Sequence, residues 1–357
     1  MGARSVTAWI ILATVTFALA ALCTRLSVAY AHRRNLLDLP GQRRSHSVPT
    51  PRGGGIGIVV GAIFSAAVIA VQVEFPYRFM VLALLAAIVV VAAVGWIDDH
   101  GGLHARMRFA AHCFAAALLL AVPAMLLGLL FPVPRPGALL LYALAAVVPG
   151  LAIVWSINLH NFMDGIDGLL ALQAMFLLVA LAVIFIHVGQ PNDAERIGLL
   201  AAAVAGFLPF NFPRARIFMG DVGSGVLGLL VAVAVGWQMF TPTIALASGI
   251  VLCSAFVTDA TCTLLSRMLR GRRWYSAHRE HLYQWLVRCG YSHVQVVAFY
   301  MGWNLLIVLP VVCWMNRMPP ARMSPGIGAA IVVYALAGLI WWFGKRWCLT
   351  RSRHAAA

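Results

Sequence analysis

Charge is what this sequence has least of. Charged residues make up 10% of 357 positions, and only 11 of those are Asp or Glu. With 62% hydrophobic residues and a mean hydropathy of +0.90, such a chain falls outside the classes of soluble domains and of disordered, solvated segments. Paired cysteine spacing is missing as well. Cys23, Cys113, Cys253, Cys262, Cys289, Cys313 and Cys348 form no CxxC pair and no disulfide framework. Most lie in apolar runs, where a free thiol behaves as a small apolar side chain, so neither disulfides nor a zinc site is indicated.

What fills the chain instead is hydrocarbon-length apolar sequence. Runs long enough to cross a bilayer as helices read at 6–30, 55–73, 78–97, 109–131, 137–157, 168–186, 197–212, 222–240, 243–265, 293–315 and 327–344. The expected fold is all-α, a polytopic membrane protein of about 10–11 transmembrane helices. Ala18-Leu19-Ala20 looks like a signal cleavage site, but the run before it is long and Leu22 precedes Cys23, so the first span reads as an uncleaved anchor.

With the first terminus outside, most Lys and Arg fall in the loops 31–54, 98–108, 213–220 and 266–292 and in the tail from 345. Arg4, Arg78, Arg135, Arg196, Arg317 and Arg322 fall on the other side. The positive-inside rule puts the first set in the cytoplasm. The net charge of +15 then reads as topology, with attraction for anionic headgroups and substrates. No aromatic-interleaved basic platform points to nucleic acid. Seven of the acids, Asp98, Asp99, Asp164, Asp167, Asp221, Asp259 and Glu280, cluster on the same cytoplasmic face. That sidedness favours a surface active site over a midplane transport pathway.

Several polar stretches carry candidate chemistry. Asn158, Asn161, Asp164 and Asp167 recur every third residue between two apolar runs, which keeps them on one drifting stripe at a helix end. The stripe either holds a metal and a polar ligand or merely ends one span and caps the next. Asp98 and Asp99 are adjacent at the mouth of a span, where each raises the other's pKa unless a cation intervenes, and a divalent metal explains them best. Arg106 and Arg108 follow within reach of phosphate or headgroups, and His112 reads as a packed or interfacial histidine. Asp221 stands among Gly220, Gly223 and Gly225, as a ligand-approach site or as an N-cap. The Pro49–Gly55 stretch, with Arg43, Arg44, His46 and Arg52, reads equally as a phosphate cradle and as a flexible basic loop. Asp259, inside a span, needs either the same site or a structural partner. His278 and His281 lack a ligand set for a metal, so contact with phosphate or a base competes with an ordinary surface helix.

Five ordered motifs together resemble the polyprenyl-phosphate N-acetylhexosamine-1-phosphate transferases of glycosyltransferase family 4, related to the phospho-N-acetylmuramoyl-pentapeptide translocase. They are Pro49–Gly55, Gly95–Asp99, Asn158–Gly168, Asn211 with Phe218–Ser224, and His278–Gln284. The resemblance implies a single transmembrane catalytic domain over 1–357 in the bacterial inner membrane, its active site facing the cytoplasm. It implies Mg²⁺, with Mn²⁺ as an alternative, on Asp221 and Asp98, and catalytic roles for Asp98, Asp99 and Asp221. Thr50, Arg52, Asn158, Asn161, Asp164, Asp167, Asn211, Phe218, His278, Arg279 and His281 are the implied substrate-binding residues. Undecaprenyl phosphate, a UDP-N-acetylhexosamine and membrane lipids are the implied partners, and a homodimer is compatible with it. The family lysine expected near Ser45 is absent, leaving Arg44 or His46 as stand-ins. His278-Arg279-Glu280-His281 is similar to the branch that initiates O-antigen or related surface glycans. The competing class is a membrane transporter or lipid flippase with a cytoplasmic cation site.

Overall fold

The computed structural model describes residues 3–39, 48–130, 136–239, 241, 244–245, 247–273, 278–317 and 323–354. Arg43, Arg44, Ser45 and His46 lie outside the described residues. Among the described residues the chain is almost entirely helical, as the composition requires. In order it runs α1 (Ala3–Arg33), β1 (Leu37–Asp38), β2 (Thr50–Pro51), α2 (Ile56–Gln72), α3 (Tyr77–Gly101), α4 (Ala105–Leu130), α5 (Pro136–Phe162) and α6 (Leu169–His187). It continues with α7 (Pro191–Asn211), α8 (Asp221–Gln238), α9 (Ala247–Leu252), α10 (Ser254–Leu269), α11 (Leu282–Arg288), α12 (His293–Trp303), a π turn (Asn304–Val308), α13 (Leu309–Arg317) and α14 (Met323–His354). Among the described residues 7 helical stretches are long and apolar enough to cross a membrane, and Ile56–Gln72 and Ala146–Phe162 are shorter apolar helices. Among the described residues the one sheet is the antiparallel pair of β1 and β2, with Leu37 opposite Pro51 and Asp38 opposite Thr50.

Helix α8 is the centre. Residues Val222–Val231 are buried without interruption, and α2, α3, α5 and α6 pack around it. The approach is close because glycine leaves backbone bare: a Cβ on Gly55 would fall 2.7 Å from the Gly223 nitrogen, and one on Gly95 would fall 2.6 Å from Val222 Cα. The beginnings of α2 and α8 and the end of α3 therefore meet backbone to backbone.

Two spans depart from continuous helices. The run 243–265 breaks into α9 and α10 at Cys253, and the run 293–315 contains the π turn. One buried side chain joins both irregularities. Gln173 on α6 donates to the Leu252 carbonyl at 3.2 Å and accepts from Asn304 Nδ2 at 2.6 Å. A side chain that binds helix backbone or inserts a polar partner disturbs the i to i−4 ladder at that point.

Candidate active site

The helix ends that α8 gathers form one polar cluster. Its floor is the stretch Pro51–Gly55, which runs alongside Ile217–Met219. Phe218 N donates to the Pro51 carbonyl at 2.8 Å, Gly54 N to Phe218 O at 2.9 Å, and Gly55 N to Met219 O at 2.8 Å. Asn211, at the end of α7, is buried and braces this floor. Its Oδ1 accepts from Gly168 N at 2.9 Å, and its Nδ2 donates to Ile217 O at 3.0 Å. Thr50 is buried with its hydroxyl on the Val48 carbonyl, while Arg52 donates to the carbonyl of Asp99. Phe218 is half-buried.

The two adjacent aspartates point to different tasks. Successive residues on a helix project about 100° apart, so Asp98 and Asp99 cannot share a partner easily. Asp99 is 4% exposed and faces the start of α8, where its Oδ1 and Oδ2 accept the N–H groups of Asp221 and Val222, each at 3.1 Å. Gly220, the preceding residue, has no side chain with which to cap the helix. Asp99 supplies that cap from another helix, with its charge at the positive end of the α8 dipole. Asp98 turns the other way and meets Arg108 Nη1 at 2.6 Å. The same guanidinium nitrogen lies 3.2 Å from Asp221 Oδ2. Asp221 Oδ1 accepts from Asn161 Nδ2 at 2.9 Å, and Asn161 Nδ2 also lies 3.0 Å from Ser224 Oγ. Four elements, α3, α4, α5 and α8, thus converge on a single point.

The stripe Asn158 to Asp167 divides on folding. Helix α5 ends at Phe162, so Asn158 and Asn161 sit on its last turns and the two aspartates in the turn beyond. Asn161 reaches Asp221, whereas Asn158 lies a turn below it, 3.3 Å from His112 Nδ1. Asp164 lies within electrostatic range of Asp221, Asp99 and Asp167, and burial together with those charges pushes its pKa up to about 8. Asp167 turns toward other groups. Its Oδ2 accepts from Ala215 N at 3.1 Å, and its Oδ1 lies 3.2 Å from His293 Nδ1. Arg106 stays exposed.

The His278–His281 stretch is held from below by Asp259, which settles the open alternatives for that aspartate. Asp259 is 2% exposed and accepts from Leu282 N (2.8 Å), Tyr300 OH (2.7 Å) and Trp341 Nε1 (3.1 Å). It is a structural anchor at the start of α11. Glu280 binds Arg267 and, at 2.9 Å, Arg272. His281 stacks on Phe162 with centroids 6.2 Å apart, and Tyr283 OH donates to the Phe162 carbonyl at 2.9 Å, so the stretch abuts the end of α5. Burial, with the His281 imidazole and the Arg267 guanidinium nearby, holds His278 down at about 4. Arg279 is half-buried, and the rings of His278 and His281 lie 5.0 Å apart. Sequence reading missed Ser224 and His293 as contacts of the site. Ser224 stands one turn after Asp221 and was legible as its helical neighbour, whereas nothing local marks His293.

Among the described residues no three His, Cys, Asp or Glu side chains stand close enough to enclose a metal ion. Asp98 and Asp221 do converge on one cationic group, and both offer hard carboxylate oxygens. Mg²⁺ usually takes one or two protein carboxylates and completes its shell with water and substrate phosphate, so this pair fits such an ion.

A multi-pass helical membrane protein with carboxylates, an amide and a guanidinium gathered at its helix ends is built for handling polar, charged ligands at a bilayer surface. Residues 81–237 match the family model described as glycosyl transferase family 4. The chain is 33% identical over 338 residues to the decaprenyl-phosphate N-acetylglucosaminephosphotransferase of Mycobacterium tuberculosis (strain CDC 1551 / Oshkosh), covering 87% of this chain and 83% of that protein. It is 33% identical to the enzyme of the same name from Mycobacterium leprae (89% and 86% covered). It is 23% identical to the undecaprenyl-phosphate alpha-N-acetylglucosaminyl 1-phosphate transferase of Escherichia coli K12 (74% and 72% covered). The chain belongs to glycosyl transferase family 4.

Proposed function

We propose that this protein transfers an N-acetylhexosamine 1-phosphate, N-acetylglucosamine 1-phosphate in first place, from a UDP-sugar to a polyprenyl phosphate at the cytoplasmic face of the bacterial inner membrane. The products are a lipid-linked sugar diphosphate and UMP, the first step toward a surface glycan. The observation that carries the reading is the convergence of Asp98, Asp221, Asn161 and Arg108, in a chain one third identical to enzymes named for this transfer.

In the reaction a phosphate oxygen of the lipid forms a bond to the β-phosphorus, and the bond from that phosphorus to the bridging oxygen breaks, leaving UMP with the electron pair. A phosphomonoester with a second pKa of about 6 is already largely dianionic at neutral pH. A general base would add little, and the work is to bring two anions together. Mg²⁺ held by Asp98 and Asp221 would supply charge neutralisation on the diphosphate. Arg108 places a fixed cation beside the same pair. Asn161 orients Asp221, and Asp99 fixes the backbone from which Asp221 projects. The stretch from His278 to His281 closes the site at the end of α5 and covers the substrate.

The test is UMP release by purified protein with Mg²⁺, a panel of UDP-sugars, and undecaprenyl or decaprenyl phosphate. UMP should appear with UDP-N-acetylglucosamine, stop with EDTA, and return with Mg²⁺ or Mn²⁺. An intact protein that releases no UMP from any donor would overturn the proposal in favour of transport.

A further inference from the structure

Helix α14 lies beyond every motif that built the site, yet it carries one side chain that packing does not explain. Lys345 is 5% exposed, and its Nζ has no hydrogen-bond partner. It is also the sole lysine of the chain, every other cation being arginine. The ammonium rests over Trp341, 4.5 Å from the ring centroid, a cation–π contact in a dry setting. Trp341 in turn donates to Asp259, the anchor of α11. Gly344 lies against Leu282, where an added Cβ would fall 3.2 Å from Leu282 Cδ1, so α14 packs directly beneath α11 and its cap residue His281.

Removing an ammonium from water without giving its three donors acceptors is unfavourable, and apolar residues of the same shape would pack there at lower cost. The charges around it say what it offsets. Glu280 and Asp259 attract it, Arg270 and Arg272 oppose it, and its field reaches His278 and His281. Glu280 already has Arg267 and Arg272 as partners, and Asp259 already accepts from five neutral donors on α10, α11, α12 and α14. Lys345 therefore adds charge to a cluster that is balanced without it. The surplus positive charge acts on half-buried His278 and buried His281, whose Nδ1 atoms are both buried and make no hydrogen bond, that of His281 standing 3.8 Å from Asp259 Oδ1. His278 and His281 stay neutral in that field and are left as hydrogen-bonding groups.

We infer that Lys345 is a positioning residue for substrate: with Arg267 and Arg272 it forms a cationic floor under the His278–His281 stretch, and that floor draws a phosphate-bearing ligand onto the histidines. The ligand is a phosphate anion, carried either by the nucleotide sugar or by the polyprenyl phosphate. The inference rests on the proposed function for the identity of those two ligands, but its test does not need turnover.

Full-length protein in nanodiscs is compared with Lys345→Met and Lys345→Arg, measuring equilibrium binding of UDP-N-acetylglucosamine and of polyprenyl phosphate, thermal stability, and kcat for UMP release. Lys345→Met loses no hydrogen bond, so its Tm should be unchanged or higher. Its Kd for one phosphate ligand should rise about tenfold while kcat at saturation stays within about threefold, and Lys345→Arg should recover most of that affinity. A rise confined to the nucleotide sugar assigns the floor to the diphosphate, and one confined to the lipid assigns it to the lipid phosphate. Unchanged binding of both ligands, a lower Tm, failure of Lys345→Met to fold, or no recovery by Lys345→Arg would each overturn the inference. Binding that depends on Lys345 in a wild-type protein that releases no UMP would instead sink the transferase reading and leave the inference standing.

Discussion

Replacing Asp99 by Asn separates a capping carboxylate from a chemical one. In the native site both carboxylate oxygens accept backbone N–H groups of α8, each at 3.1 Å. Hydrogen bonds to a charged acceptor contribute about 1.5–3 kcal/mol each. Asparagine keeps one acceptor oxygen, turns an N–H toward a second N–H, and removes the negative charge from the helix N-terminus. The loss should come to about 2–3 kcal/mol, a fall in Tm on the order of 5 °C. Because the partners are the backbone of Asp221 and Val222, relaxation there displaces Asp221 from Asn161 and Arg108. A misplacement near 1 Å lowers turnover about 100-fold. The variant should therefore be slower and less stable together, and saturating Mg²⁺ should not restore it. UMP release and thermal unfolding on the same preparation decide the matter. Turnover as low as that of an Asp221 variant with an unshifted Tm would refute the capping argument and return Asp99 to the chemistry.

Four further outcomes follow. Asp221→Asn should reduce UMP release to background in the coupled assay, since it removes a charge from the pair around Arg108. Glu195→Gln should leave release intact, because Glu195 lies in the first turns of α7, at the end opposite Asn211. Asp259→Asn should cost about 3–5 kcal/mol, the usual cost of breaking a buried, multiply bonded charge, and should be seen as a low folded yield in size-exclusion chromatography. In metal-free protein Asp164, raised to about 8, keeps its proton in the folded state while the unfolded chain ionises near the ordinary carboxylate value. Stability should therefore fall as pH rises from about 4 to about 8 and level off above, a slope that Asp164→Asn should flatten in a Tm series.

The membrane class was legible because 62% hydrophobic residues leave no other solvent for most of the surface. Asp98, Asp167 and Asp221 were expected in one pocket; Asp98 and Asp221 do meet at Arg108, with Asn161 beside them, but Asp167 does not join them. The rest was hidden for identifiable reasons. Periodicity reports a helix face but not what side chain will strike its backbone, so the break at Cys253 and the π turn, both tied to Gln173, were read as continuous spans. The partners of Asp259 come from Leu282, Tyr300 and Trp341, three separate helices, and no local spacing joins them. The third-residue stripe was real as sequence, but α5 ends after Phe162, and the chain beyond it carries Asp167 away toward Ala215 and His293.

A chain with so few acids uses them for three physical purposes that sequence chemistry alone does not separate. Asp99 and Asp259 accept backbone N–H groups at the starts of α8 and α11, and each is nearly inaccessible. Asp98 and Asp221 remain partly open and meet a guanidinium. Glu280 pairs with two arginines and pins the histidine stretch. The caps set where the other groups stand: Asp99 fixes the first residue of α8, which is Asp221, and Asp259 fixes the first turn of α11, whose cap is His281. Both halves of the site are thus placed by a buried carboxylate reaching across to the N-terminus of a neighbouring helix. Interfering with either cap should move a functional side chain without touching it.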